Sequence, residues 1–231
     1  MKSYFKWLVI LAYIALWITN PCFTLAQSIP RNLLSHFSKE NIEQALIPAS
    51  QWHPFPQNAN EWQKILPDSI HKKIIHQAEL YAALPFEPLP ASLMMEYVRT
   101  GNRSNYQDTS FEKRERLFTL ALAESIEQKG RFIDAIADGI WSICEESFWG
   151  VPAHLSLQKA GSGLADVEDP IVDLFAAETA TALALTDYLA GKELDSVSPL
   201  LRKRIYYEVN RRVFTSLEKE QETTADSTLS L

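Results

Sequence analysis

The sequence predicts an all-α fold built of antiparallel helix pairs, and three observations lead to it. Apolar residues recur at three- and four-residue spacing through most of the chain, the period of an amphipathic helix. Strict apolar–polar alternation, the mark of a half-buried strand, is almost absent. Two helical-hairpin patterns flank one long loop rich in Gly and Pro, which suggests a layered ring of helix pairs. With 231 residues, the chain is long enough for one domain with a sizeable core.

Residues 1–26 have the layout of a secretory signal peptide. Lys2 and Lys6 precede a nearly unbroken apolar run from Leu8 to Ile18. Thr24-Leu25-Ala26 then supplies small residues for cleavage before Gln27. The run is short for a membrane span, and no later stretch is apolar for longer. The expected product is periplasmic or secreted, with no stable membrane span. After cleavage only Cys144 remains, so no intramolecular disulfide forms and the fold must rest on its core. Residues 27–217 form the helical body. The polar stretch 218–231 has no periodic apolar face and is expected to be a disordered tail.

Each helix carries its own start or stop. Ser38 is placed to cap a short helix that Pro48 stops. A Pro-rich, aromatic connector from Gln51 to Asn60 follows, and Asn60 is expected to cap a turn with Trp62 and Ile65. Pro67 stands as a first-turn proline before Ile70, Ile74, Ala78 and Tyr81. Pro85, Pro88 and Pro90 end that helix, and a short one is expected from Ser92 to Val98. Thr100–Thr109 reads as a surface loop. Ser110 then caps a helix reaching Gly130, with Leu117, Leu120 and Ala121 on its apolar side. Phe132 to Cys144 is the return helix, after a tight turn at Lys129-Gly130-Arg131. The long loop keeps Phe148, Trp149, Val151 and Leu164, which argues for order. Pro170 opens an apolar helix ending at Gly191, and Ser198-Pro199 caps the last one, which carries Leu201, Ile205 and Val209.

Composition excludes some functions. Lys and Arg total 22 against 29 Asp and Glu, a net charge of −7 that deepens to −9 once Lys2 and Lys6 are removed. Nucleic acid is therefore not expected as a partner, since phosphate binding wants clustered cations. An anionic glycan is still compatible, because a cleft can be locally basic on an acidic protein. His71 and His76 are five residues apart, not at the metal-ligand spacing of a helix face. No metal and no cofactor is expected.

The segment Cys144-Glu-Glu-Ser-Phe-Trp-Gly-Val-Pro-Ala-His154 concentrates carboxylates, aromatics and an imidazole at the start of the loop. Extended back through Trp141-Ser-Ile, and together with Asp173-Leu-Phe-Ala-Ala-Glu-Thr-Ala180 and Ser198-Pro-Leu-Leu-Arg-Lys-Arg-Ile-Tyr-Tyr-Glu-Val-Asn-Arg-Arg212, it resembles the N-terminal helical region of heparinase II/III-like proteins. The resemblance covers Trp141 to Val213. It implies an incomplete (α/α) toroid, a ring of helix pairs around a cleft. Complete members are polysaccharide lyases of uronic-acid-containing glycans and continue with further toroid helices and a β-sheet domain. The expectation is a truncated member whose catalytic set is incomplete, so its standing as an enzyme stays open. Association with a second copy or with a missing C-terminal part is expected to cover the open ring.

The chemistry at stake is β-elimination. It needs a base for the proton α to the carboxylate, a proton donor for the leaving oxygen, and donors that neutralise the carboxylate. Glu146, Trp149 and His154 are the expected substrate-binding residues. His154 contacts substrate or, alternatively, bonds loop backbone. Trp149 stacks a sugar ring or anchors the loop on the core. Glu146 binds a hydroxyl, orients His154, or pairs with an Arg; its place at a helix C-terminus is unfavourable and demands a partner. Asp173 suits a helix N-terminus, and Glu178 is expected to pair with Arg202 or Arg204. Cys144 reads as a buried small hydrophobe. Two other functions compete: a non-enzymatic glycan-binding protein, and an (α/α)-toroid glycoside hydrolase with Glu146 and Asp173 as its acids.

Overall fold

A computed structural model describes residues 36–48 and 51–219. The described residues are helical with no strand. The expected signal peptide, residues 1–26, lies outside them, as does the expected tail 218–231 from residue 220 onward; residues 218 and 219 are helical. The chain divides into two compact units, one up to Trp52 and one from His53 onward. In the first, helix α1 (Lys39–Ala45) is closed by a capping box, in which Ser38 and Asn41 satisfy each other's backbone N–H groups.

The second unit starts with α2 (Ala59–Ile65) and α3 (Asp68–Ala82). Asn58 caps α2, not Asn60, because the Asn58 side chain is the one that reaches the Glu61 N–H. The short helix expected from Ser92 is two turns, α4 (Ala91–Met94) and α5 (Glu96–Thr100), separated at Met95. Gly101 ends α5 at φ 78°, a left-handed conformation that suits glycine.

Helix α6 (Ser104–Glu127) is the centre of the unit and packs against α2, α3, α4, α7 and α8. It begins six residues before the expected cap at Ser110. Asn102 accepts from the Asn105 N–H, and Tyr106 is buried, so the first turns are held by tertiary contact. Ser110 lies buried inside the helix. Helix α7 (Ile133–Cys144) returns against α6. Their turn is fastened by buried Glu124, which accepts from the N–H groups of Gly130 at 2.6 Å and Phe132 at 3.1 Å.

After the long loop come α8 (Leu174–Val197) and α9 (Pro199–Val209), packed on one another. Ser198 is the single joint between them, ending α8 and capping α9 through the Leu200 N–H. Pro170 does not open α8; Asp173 does, through the Ala176 N–H at 2.8 Å. Gly191 does not end α8 either. A Cβ there would stand 3.0 Å from Nε of Arg202, so the glycine gives room for that guanidinium. Beyond α9 the chain forms a π turn at Asn210–Phe214 and continues helical through 215–219.

One core joins Leu117, Leu120, Ile136, Ile140, Leu183 and Ile205 from α6 to α9. A smaller core of Met94, Tyr106, Phe148 and Leu155 sits under the loop. That second core is why the loop is ordered, together with a 3-10 turn at Pro152–Leu157. Buried Gln158 pins it further, donating to the carbonyls of Gly161 and Leu164 and accepting from the Asp166 N–H.

Candidate functional site

The end of α7 determines where the loop residues go. Its last carbonyls lack intrahelical partners and form the negative end of the helix dipole. Trp149 Nε1 donates to the Ile143 carbonyl at 2.9 Å. Arg204 and Arg212 both donate to the Cys144 carbonyl, at 3.2 and 3.1 Å. Arg212 also lies over the Trp149 ring, 4.7 Å from its centre. Trp149 is only 2 % exposed. The adjoining cavity, bounded in part by Phe148, Trp149 and Arg212, measures ≈ 10 Å³, about one water. The stacking role expected of Trp149 is therefore corrected: its face is covered by Arg212, and it is a loop anchor.

Glu146 is 7 % exposed and sits among cations from α6. Lys113 Nζ is 2.8 Å from Oε1, and Arg114 grips both oxygens in a fork at 2.9 and 2.5 Å. Arg114 also donates to Thr179 on α8. Of the readings open for Glu146, this is the cationic-partner one, with Lys113 beside the arginine. Neither a free sugar-binding carboxylate nor the group that orients His154 fits this position. Deprived of its cations, this carboxylate would be costly at a helix C-terminus.

His154 is the expected residue that faces outward. Its side chain keeps 38 % of its surface, and Nδ1 lies 2.7 Å from Asp173 Oδ2. Because a carboxylate only accepts, Nδ1 is the donor to Asp173, so in the neutral imidazole it is Nε2 that keeps the lone pair. Both Asp173 oxygens are engaged: Oδ2 also accepts from the Val151 N–H, and Oδ1 caps α8. Gly150 makes room for it, since a Cβ there would come within 2.5 Å of Oδ2. Phe175 stacks near the imidazole with centres 6.0 Å apart, and Phe111 stacks on Phe175 at 5.0 Å. The result is a partly open row of three rings ending in an oriented imidazole.

No protein-family model matches the chain, and no curated protein matches it.

The rest of the polar interior holds the site in place. Glu208 on α9 accepts from Arg204, Arg211 and Arg212, at 3.0, 2.8 and 2.7 Å. Burial pushes its carboxyl up, but the hydrogen bonds and charges of Arg212 and Arg211 outweigh this and hold it below the ordinary range. Burial, helped by the negative charge of Glu208, raises the Cys144 thiol to about 12 and removes its thiolate chemistry. Tyr106 is pushed up by burial first and Glu146 second, and its hydroxyl meets the Phe148 carbonyl at 3.3 Å. Glu178 is exposed, and its expected ion pair is not formed. Arg202 instead pairs with Asp187 and Asp195, and Arg204 with Glu208.

Lys113, Arg114 and Phe111 lie outside the motifs, and Phe175 lies within the Asp173–Ala180 stretch without a role of its own there. A stripe at 106, 110, 113, 117, 120 and 124 does carry a signal, because it places Lys113 and Glu124 in line with Leu117 and Leu120. A charge on an apolar stripe demands a buried partner.

Proposed function

We propose that this protein is an exported, heparinase II/III-like glycan-binding protein whose helices form part of an (α/α) toroid. It holds a uronic-acid-containing chain against the row Phe111–Phe175–His154. One observation carries the reading: an outward imidazole, oriented by an aspartate that the loop and α8 hold in place, stands at the end of a partly open aromatic row. The rings suit the C–H face of a pyranose. Nε2 of His154 suits a sugar hydroxyl, which donates to its lone pair. In a lyase the same lone pair would take the proton α to the carboxylate. The glycoside-hydrolase reading gains nothing, since Glu146 is held by Lys113 and Arg114 and Asp173 by three donors.

The test is titration of the purified full chain with an oligogalacturonate and a heparin oligosaccharide, by calorimetry. His154→Ala is expected to weaken binding at least tenfold, about 1.4 kcal/mol. Unchanged affinity would remove the reading. Ultraviolet absorbance of unsaturated uronates, followed in the same mixtures, separates a lyase from a binder.

A further inference from the structure

The tryptophan that faces outward in this region is Trp141, not Trp149. It lies on α7 and is 47 % exposed, against 2 % for Trp149. The Arg204 guanidinium sits 5.5 Å from its ring centre. Two Arg204 nitrogens are occupied, Nε by Glu208 and Nη2 by the Cys144 carbonyl. Nη1 has no hydrogen-bond partner among the described residues, and the side chain is 31 % exposed. Asp138, three residues before Trp141, lies on its face of α7, Glu145 follows four residues after it as the residue that caps the end of that helix, and both are exposed. Tyr207, three residues past Arg204 on α9, is 61 % exposed. The patch therefore sets a flat apolar surface among donors and acceptors of both signs.

That combination fits a sugar ring. A pyranose has an apolar C–H face, which an indole covers, and a rim of hydroxyls that both donate and accept. The balanced charge argues against a polyanion as such, because Asp138 and Glu145 offset the surplus of guanidinium groups near Arg204. We propose that Trp141, with Arg204, Asp138 and Glu145, is a second saccharide-binding subsite. In it the indole stacks one pyranose, the carboxylates accept from its hydroxyls, and Nη1 of Arg204 donates to it. The subsite shares only the glycan-binding part of the proposed function and does not require a uronate.

The test uses the full chain with two probes, an oligogalacturonate and a neutral oligoglucoside of equal length. Trp141→Ala is compared with Trp141→Phe and His154→Ala by calorimetry, with circular dichroism as the check on folding. Trp141→Ala is expected to weaken binding of at least one probe tenfold or more, and Trp141→Phe to keep most of it. Loss with the neutral probe assigns the subsite to the ring itself; loss with the oligogalacturonate alone assigns it to a uronate ring. Unchanged affinity of Trp141→Ala for both probes overturns the proposal, as does a chain that binds neither. If His154→Ala has no effect while Trp141→Ala does, the His154 row falls and the subsite stands. The opposite pattern keeps the row and removes the subsite. Trp, Tyr and Arg also concentrate at protein interfaces. Sedimentation showing self-association that Trp141→Ala abolishes, with glycan affinity intact, would make this a contact between copies and overturn the proposal.

Discussion

Glu146 brings a charge into the interior, and Lys113 and Arg114 meet it there with side chains 3 % and 12 % exposed. A buried pair of this kind is weak evidence for net stability, but removing one member leaves the others uncompensated. Glu146→Gln is therefore expected to cost about 3–5 kcal/mol. Urea unfolding followed by circular dichroism checks this, and a change below about 1 kcal/mol would mean that Lys113 and Arg114 find other partners. At this scale the sequence was only partly legible. The need of Glu146 for a cation followed from its place at a helix end. Which cation answered did not, because Lys113 and Arg114 lie 33 and 32 positions earlier and meet it only through the packing of α6 on α7.

Among the elements, α7 shows how packing overrides local preference. Gly139 lies in its interior, where alanine would ordinarily favour the helix by about 1 kcal/mol. A Cβ there would stand 2.6 Å from Cζ of Phe86 and 3.1 Å from Cδ1 of Leu117. Phe86 in turn is covered by the Arg116 guanidinium at 4.2 Å. Arg116 donates to the carbonyls of Tyr81, Leu84 and Pro85 around the end of α3. Gly139→Ala is expected to destabilise by about 1–3 kcal/mol, the cost of forcing a methyl into a filled core. A rise in the melting temperature would show that Phe86 moves aside freely. Helix existence was legible from period and caps, as at Ser38 and Ser198. Helix starts were misread where tertiary contact extends a helix, as before Ser110, and helix ends where a glycine serves a neighbour, as at Gly191.

For the whole molecule, the network around Glu208 ties the end of α7, the face of α9 and the loop carbonyl of Val167 together through Arg204, Arg212 and Arg211. The Glu208 carboxyl is held below its ordinary range in the fold. A carboxylate depressed on folding contributes stability above its unfolded value, and that stability is lost as pH falls through the folded value. Acid unfolding should therefore steepen below the ordinary carboxylate range. Glu208→Gln, less stable at neutral pH, should flatten this limb in denaturation curves taken across pH. Equal acid sensitivity of both proteins would remove Glu208 from the transition. The sequence by itself determined that this protein is all-α, because helical periodicity and capping residues act within a few positions. It also marked Cys144 to His154 as chemically special. Only the tertiary structure decided which of those residues face solvent. Burial depends on what packs across from a residue, so Trp149 went inside under Arg212, while His154 stayed out, as did Trp141 just before the segment.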